Sequence, residues 1–162
     1  MLKLLQFLTV VIVGLPTALG VAHALELPGK LRLDERTYRA VNRIYYPGFT
    51  IGGYAEPLAI AATALLLYLT RLSTADFWLV LVALLGMIAA HATFWLVVQP
   101  VNRHWMADED EHITAKRWLG GGSKLDGDIA WTVLRDRWEY GHVARAVMMT
   151  VSLLALVASL II

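Results

Sequence analysis

The sequence predicts an all-α membrane protein, a bundle of four transmembrane helices with a short interfacial helix between helices one and two. Of its 162 residues, 58% are hydrophobic and only 17% are charged, whereas about 25% of the residues in a soluble domain are charged. The apolar residues are concentrated in runs close to the ~20 residues that a transmembrane helix needs. Because the period-two alternation of barrel strands is absent, these runs indicate helices.

We expect a single domain over residues 1–162, with spans at about 2–27, 52–71, 75–99 and 140–161. The connections 28–51 and 100–139 then lie on the same side of the membrane. The first run begins like a secretory signal, but its apolar stretch is longer than that of a signal, so we interpret it as helix one. The chain has no cysteine, which excludes a disulfide framework, thiolate metal sites and iron–sulfur clusters.

Turn and capping residues divide the chain into these elements. Pro28-Gly29 ends helix one, and Asp34 is placed to cap the interfacial helix. Helix two begins near Gly52 and carries Glu56 in its first turns, where an acid interacts favourably with the helix dipole.

The second half of the chain is divided in the same way. Ser73 or Thr74 is expected to cap helix three, which continues past Gln99 with a kink at Pro100. Asp126 or Asp128 is expected to cap the last helix. These boundaries determine the depth of every polar side chain in the bundle.

Polar side chains from all four helices are predicted to meet in the half of the bundle next to the long connections. The other half is nearly pure hydrocarbon. Ionisable groups inside a membrane are functional candidates by default. The residues that converge are His23, Glu26, Glu56, His91, Gln99, Asn102, Trp138, His142 and Arg145.

Three of these positions allow two interpretations each. His23 and Glu26 have the i, i+3 spacing by which bundles present metal ligands or a proton-transfer pair, but both could also be interfacial and hydrated. Glu56 is either a base or ligand, or it neutralises a helix dipole. His91 is either a ligand or a buried histidine bonded to a neighbouring hydroxyl or carbonyl group.

The last helix carries the most regular pattern. Its aromatic and cationic side chains recur at steps of four and three, so they share one face; they are Trp131, Arg135, Trp138, His142, Arg145 and Met149. Such a face could bind an anionic or phenolic ligand, with Trp138, Asn102, Trp105 and Arg135 as the binding residues. The alternative is that the arginines extend to lipid headgroups while the tryptophans mark the interface.

Four stretches resemble the signature regions of the anthrone oxygenase-like integral membrane proteins. They are "HALELPGKLRL" at 23–33, "IYYPGFTIGGYAEPLA" at 44–59, "QPVNRHW" at 99–105 and "RWEYGHVAR" at 137–145. The resemblance covers nearly the whole chain and implies a four-helix membrane protein. It also implies a monooxygenase that converts anthrones to anthraquinones, although many bacterial members have no known role. The acidic "DEDEH" segment and the glycine run after it depart from the family pattern.

Two function classes are compatible with these residues. The first is an oxygenase or related redox enzyme acting on a lipophilic aromatic substrate such as an anthrone or quinol. Its catalytic residues are predicted to be His142, His23, Glu56 and Arg145, with a histidine as base and the arginine stabilising an oxyanion. The enzyme could work without a cofactor or bind one iron or copper ion through His23, Glu26, Glu56, His91 and His142.

The second class is a non-catalytic membrane subunit that binds a quinone, lipid or haem, or packs within a larger complex. The residues leave open whether the protein is an enzyme and whether it forms a homo-oligomer. We expect its partners to be the lipid bilayer and a lipophilic small molecule, and no nucleic acid. Of the 14 lysines and arginines, all except Lys3 and Arg71 lie on the side of the long connections. We expect a multi-pass protein of the bacterial inner membrane. The positive-inside rule predicts that the side of the long connections faces the cytoplasm, whereas the signal-like first helix argues for the opposite orientation.

Overall fold

The protein is described by a computed structural model, which covers residues 2–45, 48–71, 74–108, 125 and 129–161. No strand occurs in these ranges. The α-helices are α1 (Leu2–Leu25), α2 (Leu27–Lys30), α3 (Glu35–Asn42), α4 (Gly48–Gly53), α5 (Ala55–Leu69), α6 (Ala75–Thr93), α7 (Gln99–Asp108) and α8 (Trp131–Ile161). The all-α prediction is confirmed for this part of the chain.

Two of the predicted helix caps are confirmed. Asp34 accepts a hydrogen bond from the backbone N–H of Thr37 at 2.8 Å and so begins α3. Thr74 accepts from the backbone N–H of Phe77 at 3.4 Å and begins α6. The other proposed caps, Ser73, Asp126 and Asp128, lie outside the described residues.

Three helical segments are long and apolar enough to cross a membrane: Leu2–Lys30, Ala75–Met106 and Trp131–Ile161. This finding fits an integral membrane protein. The segment predicted as the second span contains a shorter apolar helix, α5, with 15 residues. The helical membrane architecture therefore agrees with the sequence prediction, while the fourth span stays a prediction.

The four longest helices form a closed ring. Helix α8 packs against α1 and α6, and α5 packs against the same two helices from the other side. Their apolar core contains Val13, Leu66, Met87 and Leu156. Small residues permit close approach, because a Cβ atom added at Gly86 would lie 2.3 Å from the Ser152 hydroxyl oxygen. Such contacts are typical of helix packing in membranes.

A π-helical turn at Phe94–Val98 joins α6 to α7. It lies directly before Pro100, the residue at which the sequence predicts a kink. Proline has no N–H, so it cannot donate to the carbonyl group of Leu96 four residues earlier. Arg137 Nη2 donates to that carbonyl oxygen at 3.3 Å instead. A cation on α8 thus satisfies the backbone group that the proline leaves without a helical donor.

Candidate functional site

A cavity of about 190 Å³ lies between the four long helices, in the half of the bundle next to the long connections. Its buried floor is formed by Pro16, His23, Tyr45, Glu56, Asn102, Trp138 and Met149. An apolar cavity of about 150 Å³ can hold benzene. The cavity therefore has room for an aromatic ring, with polar side chains within its reach.

The four residues predicted to be catalytic all line this cavity: His23, Glu56, His142 and Arg145. Trp138 and Asn102, from the predicted ligand-binding set, line it too, as does His91. The other two members of that set are placed differently. Among the described residues, neither Trp105 nor Arg135 lines the cavity.

Trp105 and Arg135 have structural partners instead. The Trp105 ring lies 5.7 Å from the ring of Trp138, on the same cluster of buried aromatic residues. Arg135 forms an ion pair with its neighbour Asp136 at 2.7 Å and stacks over the ring of Trp131 at 5.0 Å. Trp105 lies about one turn beyond Asn102 on α7, and Arg135 lies about one turn before Trp138 on α8. Both therefore fall outside the part of their helix that lines the cavity.

The arginine cluster consists of Arg145, Glu56 and His91. Arg145 Nη2 donates to Glu56 Oε1 at 2.9 Å, and the other carboxylate oxygen lies 3.1 Å from His91 Nδ1. Arg145 Nε also donates to the carbonyl oxygen of Ala90 at 3.2 Å. The arginine is thus held inside the bundle by a carboxylate and a backbone group, and it is not extended toward the lipid headgroups.

The rings of His23 and His142 lie against each other, with their centroids 4.4 Å apart. Arg145 Nη1 lies 3.2 Å from His142 Nδ1. A guanidinium group only donates hydrogen bonds, so His142 Nδ1 is the acceptor. Neutral His142 therefore carries its proton on Nε2, which makes that nitrogen a hydrogen-bond donor.

The lysine cluster consists of Lys30, Glu26 and Glu139. Lys30 is only 3% exposed, and its Nζ atom lies 3.1 Å from Glu26 Oε2 and 3.5 Å from Glu139 Oε1. The same Nζ atom lies 3.3 Å from each ring nitrogen of His23. His23 Nε2 is 3.7 Å from Glu139 Oε2. His23 therefore stands between the lysine cluster and His142.

Two tyrosines complete the lysine cluster. Tyr38 donates to Glu139 Oε1 at 2.8 Å, and Tyr45 donates to Glu26 Oε2. Burial raises the pKa of both phenols well above the ordinary value, and the neighbouring carboxylates raise it further. Both hydroxyl groups consequently stay protonated and donate to the carboxylates. Since Tyr45 lines the cavity, it links the cavity to Glu26, whose side chain is 45% exposed.

Trp138 is fixed on the cavity wall by a buried chain of hydrogen bonds. Its indole Nε1 donates to Asn102 Oδ1 at 2.7 Å, and Asn102 Nδ2 donates to Gln99 Oε1 at 3.2 Å. The Trp138 ring meets the ring of His142 edge-on, with centroids 4.4 Å apart. Asn102 and Trp138 together therefore fix one face of the cavity.

The metal-ligand set expected from the sequence is not assembled. Within the described residues, no group of three or more histidine, aspartate or glutamate side chains could hold a metal ion. His91 is paired with Glu56, and Glu26 with Lys30 and Tyr45. The cations Arg145 and Lys30 occupy the positions next to the carboxylates that a metal would need. The donor set therefore does not fit iron or copper.

Haem also fits poorly. Two axial histidines hold the iron between them, whereas His23 and His142 are in direct ring contact. No porphyrin fits between rings whose centroids are 4.4 Å apart. We therefore assign no step to a metal or haem.

Lys30 and Glu139 were missed by the sequence analysis. Lys30 was placed in the first connection because Pro28-Gly29 was expected to end the helix, but a further turn, α2, returns the lysine toward His23. The spacing of Glu26 and Lys30, i and i+4, is a signal that could have found this pair. Glu139 adjoins Trp138 and lies three residues before His142, so it shares their side of α8.

No family model matches the chain, and no curated protein or solved structure matches it either.

Proposed function

We propose that this protein is a membrane-embedded oxidising enzyme that removes a proton from a lipophilic aromatic substrate and delivers the resulting anion to dioxygen. The observation that carries the proposal is that the rings of His23 and His142 lie in contact on one cavity, with a cation beside each of them. A base and groups that stabilise negative charge are what the reaction of an enolisable ketone or phenol requires. Anthrone oxidation, the activity implied by the sequence resemblance, belongs to this class.

Each side chain has a distinct role in the proposal. His23 takes the proton, and Glu139, 3.7 Å from its Nε2, orients the ring and stabilises the imidazolium that forms. His142 donates its Nε2 proton to the substrate oxygen, on which the negative charge develops. Arg145 fixes the His142 tautomer through Nδ1. Glu56 in turn positions Arg145 and compensates its charge.

The chemistry balances without a bound cofactor because dioxygen is the oxidant. For an anthrone, His23 removes one proton from the ring CH₂ group and leaves an electron-rich enolate. The enolate carbon forms a bond to dioxygen, and the CH₂ group becomes C=O as the O–O bond breaks. One oxygen atom enters the product and the other leaves as water. Two hydrogens are lost from carbon in this four-electron oxidation.

The membrane topology forms part of the proposal. We propose that α5 crosses the membrane as the fourth span, because it packs between the long helices α1 and α6. Its 15 residues reach about 22 Å at 1.5 Å per residue, and α4 precedes it directly. The side with the long connections, and therefore the cavity, then faces the cytoplasm of a bacterial inner membrane.

The test uses the purified full chain in lipid nanodiscs with two probes, unsubstituted anthrone and a decyl-substituted benzoquinol. We expect oxygen uptake with at least one probe and the absorption of the corresponding quinone. The background is the rate in empty nanodiscs, because both probes oxidise slowly in air. Equal rates for the wild type and the double variant H23Q/H142Q would contradict the proposal.

A second candidate is a non-catalytic subunit that binds a quinone or a lipid. It is favoured by the apolar side chains in the lining of the cavity, among them Pro16, Phe49 and Met149. Such a protein would bind the oxidised benzoquinone and change its tryptophan fluorescence without any oxygen uptake. Oxygen uptake that depends on His23 separates the enzyme from the binding subunit.

A further inference from the structure

Four of the described residues that line the cavity are exposed, and they form a rim on one side of it. Gly53, Tyr54, Pro57 and Trp95 are the exposed lining residues. Three of them belong to the start of α5 or to the residues just before it, and Trp95 belongs to the π-helical turn. The mouth of the cavity therefore lies between the start of α5 and the π-helical turn that follows α6.

The surface around this mouth is apolar. Leu58, one residue beyond Pro57, is 58% exposed, and Leu96, next to Trp95, is 72% exposed. By contrast, the side of the cavity toward the long connections is closed by Tyr45, Trp138 and Asn102, which are all buried. The opening thus leads to the lipid-facing surface of the bundle.

Tyr54 and Trp95 indicate the depth of the mouth in the membrane. About 20 residues cross the hydrocarbon core, so counting from Ala75 places the boundary close to Trp95. Tyr54 directly precedes α5, which runs antiparallel to α6 and rises about 22 Å over its 15 residues, so Tyr54 lies within about one to two helical turns of that depth. Tyrosine and tryptophan side chains are enriched at this boundary, where one end of the ring is apolar and the other is hydrated.

We propose that the substrate enters sideways from the bilayer through this mouth, and that it is an amphipathic molecule with an aromatic head and an apolar tail. This inference rests on the proposed function, from which the aromatic nature of the substrate's head group is taken. The ring reaches His23 and His142 inside the cavity, while the tail stays between Leu58 and Leu96 in contact with lipid. His91, which lines the cavity and bonds to Trp95 Nε1 at 3.0 Å, fixes the tryptophan at the rim.

The glycines provide a direct test. A Cβ atom added at Gly53 meets no other atom within 4 Å, so a side chain introduced there starts in open space at the mouth. Gly29 is equally open but belongs to α2, away from the rim. Gly53→Leu therefore narrows the mouth, and Gly29→Leu is the matched control.

The probe is a benzoquinol whose alkyl tail carries a photoreactive diazirine, added to the wild type and both variants in nanodiscs. After illumination, mass spectrometry locates the labelled residues. We expect labels on residues 54–58 and 94–97, a loss of at least fivefold in labelling for Gly53→Leu, and no change for Gly29→Leu. Labels on residues 31–45, or equal labelling of Gly53→Leu and the wild type, would overturn the lateral entry.

This experiment is independent of turnover. Labels at the mouth without any oxygen uptake would support the entry route and contradict the oxidation. Oxygen uptake with labels only on residues 31–45 would support the oxidation and contradict the route. The two proposals can therefore fail separately.

Discussion

Arg145 and Glu56 form an ion pair between α8 and α5, with Nη2 and Oε1 2.9 Å apart and both side chains largely buried. Removing one member of such a pair leaves the other charge buried without compensation, which costs about 3–5 kcal/mol. We expect Arg145→Gln and Glu56→Gln each to lower the thermal stability of the protein in detergent by an amount in this range.

The double variant R145Q/E56Q tests whether the two side chains act as a pair. It should lose less stability than the two single variants together, because neither charge is left alone. Arg135→Gln is the control, since Arg135 pairs with the half-exposed Asp136. Additive losses in the double variant would argue against the ion pair.

His23 is expected to be the base of the oxidation. Replacing it with glutamine should lower the rate of oxygen uptake by about 10²- to 10⁴-fold, the usual contribution of general base catalysis. Binding of the oxidised quinone, followed by tryptophan fluorescence, should change much less. His104→Gln is the control, because His104 does not line the cavity within the described residues and accepts instead from the backbone N–H of Leu125. A rate loss of the same size in the control would count against a catalytic role.

Lys30 compensates the charge of Glu139, which is fully buried. Lys30→Met should destabilise the protein by about 3–5 kcal/mol because the glutamate is then left without its cation. The double variant K30M/E139Q removes both charges, so it should recover part of that stability. Thermal unfolding of the three proteins measures the difference. If the double variant is no more stable than Lys30→Met, the lysine has a role other than charge compensation.

Two glycines of the long helices should respond oppositely to alanine. At Gly86 the new Cβ atom would lie 2.3 Å from the Ser152 hydroxyl oxygen and 3.1 Å from the Met148 carbonyl oxygen. We expect Gly86→Ala to cost about 1–3 kcal/mol, as overpacking usually does. At Gly14 nothing lies within 4 Å, so Gly14→Ala should leave stability unchanged or raise it by up to about 1 kcal/mol. Thermal unfolding in one detergent checks both, and equal effects would contradict the packing of α6 on α8.

Much of the cavity could be predicted from the sequence by depth alone. The apolar runs set where each helix enters the membrane, so His23, Glu56, His142 and Arg145 were expected at one level. Helical periodicity then placed His142 and Arg145 on one face of the last helix. Depth does not determine which helices are neighbours, however. The contacts between Arg145 and Glu56 and between His23 and His142 could therefore be identified only from the structure.

The lysine cluster shows where sequence reasoning fails. Proline and glycine usually end a helix, yet at Pro28-Gly29 a further turn places Lys30 beside Glu26 and His23. Trp105 and Arg135 show the opposite error, because they share the periodicity of the ligand-binding residues but lie about one turn beyond the residues of their helices that line the cavity. Periodicity gives the face of a helix and cannot give the depth at which a cavity ends.

Helix α8 brings Glu139, His142 and Arg145 to the site. They are the last ionisable side chains of the site to be synthesised. Before α8 is made, Glu56 can contact His91 but lacks the guanidinium group of Arg145. Lys30 can contact Glu26 and His23 but lacks Glu139. The ion pair between Glu56 and Arg145 and the contact between Lys30 and Glu139 thus form only when α8 packs against α1 and α6. A chain that stops before Trp131 therefore lacks the cation that pairs with Glu56 in the finished bundle.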